Sequence, residues 1–327
     1  YVQGGWPFLG QVFTMIKGSP WDTMALWVRE YGPIYCFHLF GDDAVCVSDP
    51  DHLKIVLAQK VHHFKKDVNG TYKPFLDILG KGIVTSDGKE WVRQKILLAK
   101  PLKQDILLEV PGMALRAVQR LCVKLDKAKA DGTTLEMAEE FRHLTLQVIA
   151  EVILSLDPKE SDDTFAHMYL PIVEEGNLRT WAPQRMYFPT PAMFEYRKAV
   201  GRLNSYVTGL VERRWDVRKI EAVHEKATGE KTKRRMDILD VVISYYNDKT
   251  WSKDAVNQIR DEIKTFILAG HETSASMLTW SLYELTQNAK VMQKVVNEAN
   301  TIFSDTKSKA AKDIASLPNN DKLEGLS

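Results

Sequence analysis

Apolar side chains recur along most of this chain at intervals of three and four, the spacing that winds onto one face of a helix. The longest such run covers residues 252–288. At about 100° per residue, one face of that run gathers Val256, Ile259, Ile263, Phe266, Gly270, Thr273, Ser274, Met277 and Ser281, apolar at its ends and small in its middle. Ser252 can cap its start, Asp254 and Asp261 stand toward the positive end of its dipole, and Asn288 suits its stop. Such a helix, about 54 Å long at roughly 1.5 Å per residue, crosses a whole domain. Around Phe266, Ile267, Leu268 and Ala269 it is apolar on every side, which predicts burial all round.

Shorter runs of the same kind predict helices over residues 21–31, 49–59, 111–128, 135–156, 162–175, 197–222, 236–246 and 290–303, and another opening at Asp87-Gly88-Lys89-Glu90-Trp91. Residues 34–40 and 44–48 are rich in β-branched and aromatic side chains around Gly41-Asp42-Asp43, which predicts a hairpin. The fold class expected is mainly α with a small N-terminal β-hairpin subdomain. Residues 60–88 are broken by Gly70, Pro74, Gly80, Gly82 and Gly88; residues 176–196 hold Trp181, Met186, Tyr187, Phe188, Met193 and Phe194 among prolines and predict an apolar, lid-like connection. The organisation expected is a helix and hairpin subdomain with an irregular cap at 1–88, a helical domain at 89–303 and a polar linker at 304–327.

The middle of the long run is poorly written as plain helix. Gly270 costs about 1 kcal/mol relative to alanine in a helix interior. Thr273 can turn its hydroxyl back onto the Ala269 carbonyl, loosening the ladder and admitting a water. Glu272 falls nearly opposite Gly270 and should face protein, where burial favours its neutral form and makes it a proton reservoir near pH 7. An acid, an alcohol and a gap suit proton delivery to a bound oxygen ligand.

These residues carry a resemblance. Ala269-Gly270-His271-Glu272-Thr273-Ser274 resembles the (Ala/Gly)-Gly-x-(Asp/Glu)-Thr-(Thr/Ser) signature in the long helix of cytochrome P450 haem-thiolate monooxygenases. The resemblance implies a P450-like helical fold with haem b against Ala269 and Gly270, and Glu272 and Thr273 as the catalytic pair. It also implies substrate contacts from Ile263, Phe266 and Met277 on that helix, and from Phe75, Leu79, Ile83 and Val84 in the irregular segment, which caps the active site in that family. Trp91-x-x-x-Lys95 resembles the family's Trp-x-x-x-Arg, which holds a haem propionate; the ammonium here gives up the guanidinium's bidentate fork. Lys89, Arg93, Lys100 and Lys103 would form a basic patch for an electron-donor protein, a reductase or a ferredoxin. The opening around Gly4, Gly5, Pro7 and Gly10 is similar to the segment that follows the membrane anchor of eukaryotic members. That implies an anchor ahead of this chain and a place on the cytosolic face of the endoplasmic reticulum or in a plastid. Residues 79–93 are similar to plant and algal carotenoid-hydroxylase relatives.

Taken whole, the resemblance implies a monooxygenase that uses dioxygen and two electrons to hydroxylate a lipophilic small molecule. The family's iron ligand is a cysteine in a Phe-x-x-Gly-x-x-x-Cys-x-Gly loop near the C-terminus, preceded by a Glu-x-x-Arg helix. Cys36 and Cys46 fall in the hairpin and Cys122 in a helix, so the ligand is expected outside this chain. The chain would then be roughly the N-terminal two-thirds of a member, truncated before the haem-ligand loop and inactive alone. Two other readings stand beside this one: a haem-free helical fragment or interaction protein, and a haem-dependent isomerase or dehydratase. The intact Glu272-Thr273 pair argues against the second.

Composition removes other classes. At 327 residues, 44% hydrophobic and 27% charged, the chain can bury one large core or two domains. Lys+Arg 44 against Asp+Glu 43 leaves +1, which implies no nucleic-acid field. Three cysteines suggest no disulfide framework and lack metal-site spacing. No stretch reaches the roughly 18 apolar residues of a membrane span. Asp162-Asp163 lacks the second acidic cluster that a terpene synthase needs. His271 lies on the helix that resembles the oxygen side, where a ligated imidazole would block dioxygen, so it is not read as an iron ligand.

Overall fold

The computed structural model describes residues 1–99, 109–229, 236–247 and 249–303. The predicted linker at 304–327, residues 230–235 of the charged stretch, Lys100, Lys103 and the side chain of Trp181 lie outside the described residues.

The N-terminal unit sets two helices, α1 (Val12–Ile16) and α2 (Pro20–Tyr31), beside the predicted hairpin of β1 (Ile34–Leu39) and β2 (Asp42–Val47). Ser19 caps α2, and Pro20 opens it where a missing N–H costs nothing. The strands pair antiparallel with Ile34 opposite Val47 and Leu39 opposite Asp42. Strand alternation sends Tyr35 and Phe37 to one face, where they meet Val2, Met15 and Trp27 in a small core of their own. Asp49 then caps α3 (Pro50–Lys54), accepting the His52 N–H at 3.0 Å, and the chain runs on through a π turn, Ile55–Gln59.

Residues 60–88 are irregular as expected, with two 3-10 turns, Val61–His63 and Lys73–Phe75, and one short α-helix, α4 (Leu76–Leu79). Ile78 is fully buried in the main core and Leu79 is buried as well, so Leu79 is not available as a substrate contact.

The main core is built by α5 (Gly88–Ala99), α6 (Val110–Asp131), α7 (Met137–Leu154), α8 (His167–Trp181), α9 (Pro191–Thr228), α10 (Ile238–Ile243) and α11 (Lys253–Gln287). The C-terminal described element is α12 (Ala289–Phe303). α9 outruns its predicted span at both ends. Pro191 is its first helical residue rather than a breaker, because the Thr190 hydroxyl accepts the Met193 N–H at 3.2 Å and the proline ring holds a helical φ. α8 also runs past its predicted end, which shrinks the lid-like connection to a 3-10 turn, Pro183–Met186, and residues 187–190. Tyr187 and Phe188 stay exposed there, and Lys73 of the cap donates to the Tyr187 hydroxyl at 2.9 Å. The buried Arg179 guanidinium lies 3.5 Å from the Tyr196 ring centre and pairs with Glu175 and with Asp77 of α4, tying cap to lid.

α11 reproduces the longest predicted element to within a residue at each end. The Ser252 hydroxyl accepts the Ala255 N–H at 3.2 Å, as a cap should. Ile259, Ile263, Ile267, His271 and Ala275 are all buried on the side that packs against α7 and α9.

Candidate functional site

The other side of α11 carries Glu262, Phe266, Ala269, Thr273, Met277 and Trp280, each three or four residues apart and therefore on one stripe. Phe266 is half-buried, Ala269 and Thr273 are exposed, and Met277 and Trp280 are 64% and 63% exposed. The helix is thus not buried all round, as its sequence suggested. Its apolar residues serve two surfaces, a packed one toward α7 and, from Ala269 to Trp280, an open one that no described residue covers.

Two expectations need correction. A Cβ on Gly270 would stand 2.7 Å from both Cδ1 and Cγ1 of Ile149 on α7. The glycine therefore seats a neighbouring helix and does not clear room for a cofactor; the small residue facing outward is Ala269. Ile263 is fully buried in the main core and turns away from the stripe, so it is no substrate contact.

Thr273 Oγ1 donates to the Ala269 carbonyl at 2.6 Å, the back-bond the sequence predicted, which leaves the hydroxyl's lone pairs toward the open side. Glu272 differs from expectation. Its carboxyl lies 3.4 Å from His271 Nε2 and 3.9 Å from Arg142 of α7, and its side chain is 29% exposed. The His271 contact, with Arg142 behind it, holds the carboxyl below the usual range against the desolvation that opposes it. Glu272 is charged at neutral pH, not a neutral reservoir. It borders a cleft of about 160 Å³ that Glu139, Arg142, His143, Leu170 and Glu174 line with it.

The raised carboxyl is instead Glu262, which is 2% exposed and which burial pushes from 4.5 to about 7. Sequence reading missed it, although an Asp-Glu pair between Ile259 and Ile263 was a signal. Glu262 faces Gln258 and Asp261 on its own helix, Glu90 and Arg93 on α5, Tyr246 and the Ile83 N–H. Between pH 4.5 and 7 the folded chain keeps a proton the unfolded chain has released, so this group's contribution to stability falls as pH rises through that window. Glu262→Gln is expected to flatten the loss of stability between pH 5 and pH 8 by on the order of 2 kcal/mol, read from urea unfolding at the two pH values. An unchanged pH profile would show that Glu262 titrates normally.

Ile83 and Val84 are half-buried next to this end of the stripe, where the Ile83 N–H donates to Glu262 Oε2 at 3.0 Å. Lys66, another residue the sequence did not single out, donates to the Ile83 and Val84 carbonyls at 3.2 and 3.0 Å. On α5 the Lys95 ammonium sits 4.8 Å over the Trp91 ring, with Lys66 at 5.9 Å, so Trp91 and Lys95 share one face as expected. Both are engaged with each other, and α5 meets α11 nearer the latter's start, through Gln94, Gln258 and Lys81.

A flat apolar ring laid on the stripe would meet the Ala269 methyl, with Phe266 and Met277 along the helix on either side. The stripe fits one face of a haem. No described cysteine suits the iron: Cys36 and Cys46 are in the hairpin and Cys122 is exposed on α6. Glu-x-x-Arg spacing does occur, at Glu90–Arg93, an ion pair of 3.5 Å, and at Glu139–Arg142, but both precede the central helix. Among the described residues no helix is long and apolar enough to cross a membrane.

The cytochrome P450 family model matches residues 2–322. Protein LUTEIN DEFICIENT 5, chloroplastic, of Arabidopsis thaliana is 27% identical over 286 residues, 84% of this chain and 46% of that protein. Carotene epsilon-monooxygenase, chloroplastic, of the same plant is 26% identical over 321 residues, 94% of this chain and 57% of that protein. The chain thus spans about half the length of these curated relatives. In fold it is similar to the crystal structure of cytochrome P450DA heme domain, with a TM-score of 0.72 at 19% identity, over 99% of this chain and 66% of that one. A family match running almost end to end, on a chain whose longest helix carries the signature in an open stripe, has one meaning: this chain belongs to the cytochrome P450 family.

Proposed function

We propose that this chain supplies the oxygen-side wall and the substrate cap of a haem b monooxygenase, which hydroxylates a lipophilic small molecule using dioxygen and two electrons from a donor protein, a reductase or a ferredoxin. The observation that carries this reading is the open stripe on α11, an exposed alanine and a back-bonded threonine beside an anchored glutamate. Haem, when bound, supplies the oxygen-activating chemistry. Ala269 would lie against the ring, and Trp91 with Lys95 would hold a propionate. Phe266, Met277, Ile83 and Val84 present the apolar surface that a lipophilic substrate needs.

Glu272 and Thr273 handle the proton. Because His271 and Arg142 keep Glu272 ionised, it takes a proton from the solvent-facing cleft at Oε1 and reloads with each cycle. Thr273 Oγ1, anchored on Ala269, orders the water that carries that proton to the open side. The relative named as a carotene monooxygenase supports a polyene-like substrate, and two relatives named as chloroplastic support a plastid over the endoplasmic reticulum. Exposed Trp6, Phe8, Phe13 and Trp21 near the N-terminus support contact with a membrane surface.

Thr273→Ala in the full-length protein is expected to keep the carbon-monoxide difference spectrum while product per electron pair falls by at least about tenfold and peroxide is released. Unchanged coupling would remove Thr273 from this role. A wild type without a carbon-monoxide band would favour the haem-free interaction protein, and turnover without external electrons would favour the isomerase.

A further inference from the structure

Two adjacent carboxylates on α11 grip the backbone of the loop that precedes α5. Asp261 Oδ2 accepts the Lys81 N–H at 3.0 Å, and Glu262 Oε2 accepts the Ile83 N–H at 3.0 Å. Gln258 Nε2 bridges the loop and Glu262, donating to the Lys81 carbonyl at 3.0 Å and to Glu262 Oε1 at 2.8 Å, while Gln94 of α5 donates to the same carbonyl at 3.1 Å. The fit is close. Gly80 has φ +53°, and a Cβ there would overlap the Asp261 carboxylate. Thr85 Oγ1 donates to the Gly80 carbonyl at 2.7 Å, and Lys66 holds the Ile83 and Val84 carbonyls from the other side. The N–H and C=O groups of Lys81 and Ile83 are thereby held by side chains, while the Gly82 N–H between them donates to the Leu79 carbonyl at 3.0 Å.

Glu262 shares its stripe with Phe266 and Ala269, one and two turns further on. A loop fastened to Glu262 is therefore fastened at a set height beside those residues. We propose that Asp261 and Glu262 are specificity-determining positioning residues: by fixing the Lys81 and Ile83 amides they set how far Ile83 and Val84 reach over the stripe, and so which substrate shapes fit. Neither carboxylate touches the substrate; each acts through the loop. This rests on the monooxygenase reading above.

The test uses full-length holoprotein carrying Glu262→Ala, Glu262→Gln or Asp261→Ala. Hydrogen exchange at residues 80–85 reports on the fastening without any need for haem. Soret titrations with dodecanoic acid and with a rigid steroid report on selection. Glu262→Ala is expected to speed exchange at the Ile83 amide by about tenfold or more and to change the ratio of the two dissociation constants by about fivefold, with the carbon-monoxide band intact. Glu262→Gln retains an acceptor and should stay nearer wild type in both. Where Glu262→Ala fails to fold, Asp261→Ala, which removes the acceptor of the Lys81 N–H, must show the same pairing of faster exchange at Lys81 with an altered ratio. Unchanged exchange would overturn the clamp, and faster exchange with an unchanged ratio would overturn its role in selection. A wild type lacking the haem band overturns the monooxygenase reading, and this proposal with it, while leaving the exchange result intact.

Discussion

Replacing Arg214 with leucine is expected to lower the stability of the protein by about 3–5 kcal/mol, measured by urea unfolding at pH 7 to 8. Arg214 on α9 reaches Asp237 Oδ2 at 2.6 Å and Asp240 Oδ2 at 2.8 Å, and donates to the Leu154 carbonyl at 3.2 Å. The two carboxylates form a reciprocal cap at the start of α10, each accepting the other's backbone N–H, and both residues are wholly buried. Ser155 adds one donor to Asp237 at 2.7 Å. Leucine would fill much of the volume but leave two negative charges facing each other in the core. Burial, with Asp240 as the next cause, already raises the Asp237 carboxyl despite the arginine. Without the guanidinium the Asp237 carboxyl should rise further, so the deficit is expected to narrow as pH falls and protonation removes unpaired charge. A loss under about 1 kcal/mol would mean that the pair contributes no more than a surface contact.

Gly270→Val should cost about 2–3 kcal/mol in the same assay, and Gly270→Ala should also destabilise. Helix propensity alone says the opposite for alanine, a gain of about 1 kcal/mol. The clash decides the sign, because the new Cβ would stand 2.7 Å from two carbons of Ile149 on a helix that cannot retreat without opening the core. Trimming Ile149 to alanine should therefore rescue part of the loss, with a coupling of about 1–2 kcal/mol between the two sites. If Gly270→Ala is stabilising, α7 and α11 are not in the contact described.

How much of this was readable in advance depends on range. The central helix was legible because its signals are local: a serine cap at Ser252, an asparagine stop at Asn288 and a regular apolar period between them. Trp91 and Lys95 were legible for the same reason, four residues apart on one turn. Pro191 misled because a proline reads as a breaker until the capping geometry of Thr190 makes it a first residue. Gly270 misled because one letter serves both a ligand gap and a seat for Ile149. Glu272 misled most: angle around a helix can be computed, but not that the His271 ring turns onto its carboxyl, with Arg142, 130 positions earlier, behind it. Asp261 and Glu262 went unnoticed because what they bind is backbone, and backbone partners leave no mark in side-chain patterns.

The uncovered face of α11 has a thermodynamic consequence. Met277, Trp280 and Tyr283 stand more than half in water, and covering each such side chain contributes about 1.5–3 kcal/mol. Three of them together rival the whole net stability of an ordinary domain, about 5–15 kcal/mol. A segment that closed over that side would therefore melt together with this helix rather than after it, making the two a single cooperative unit.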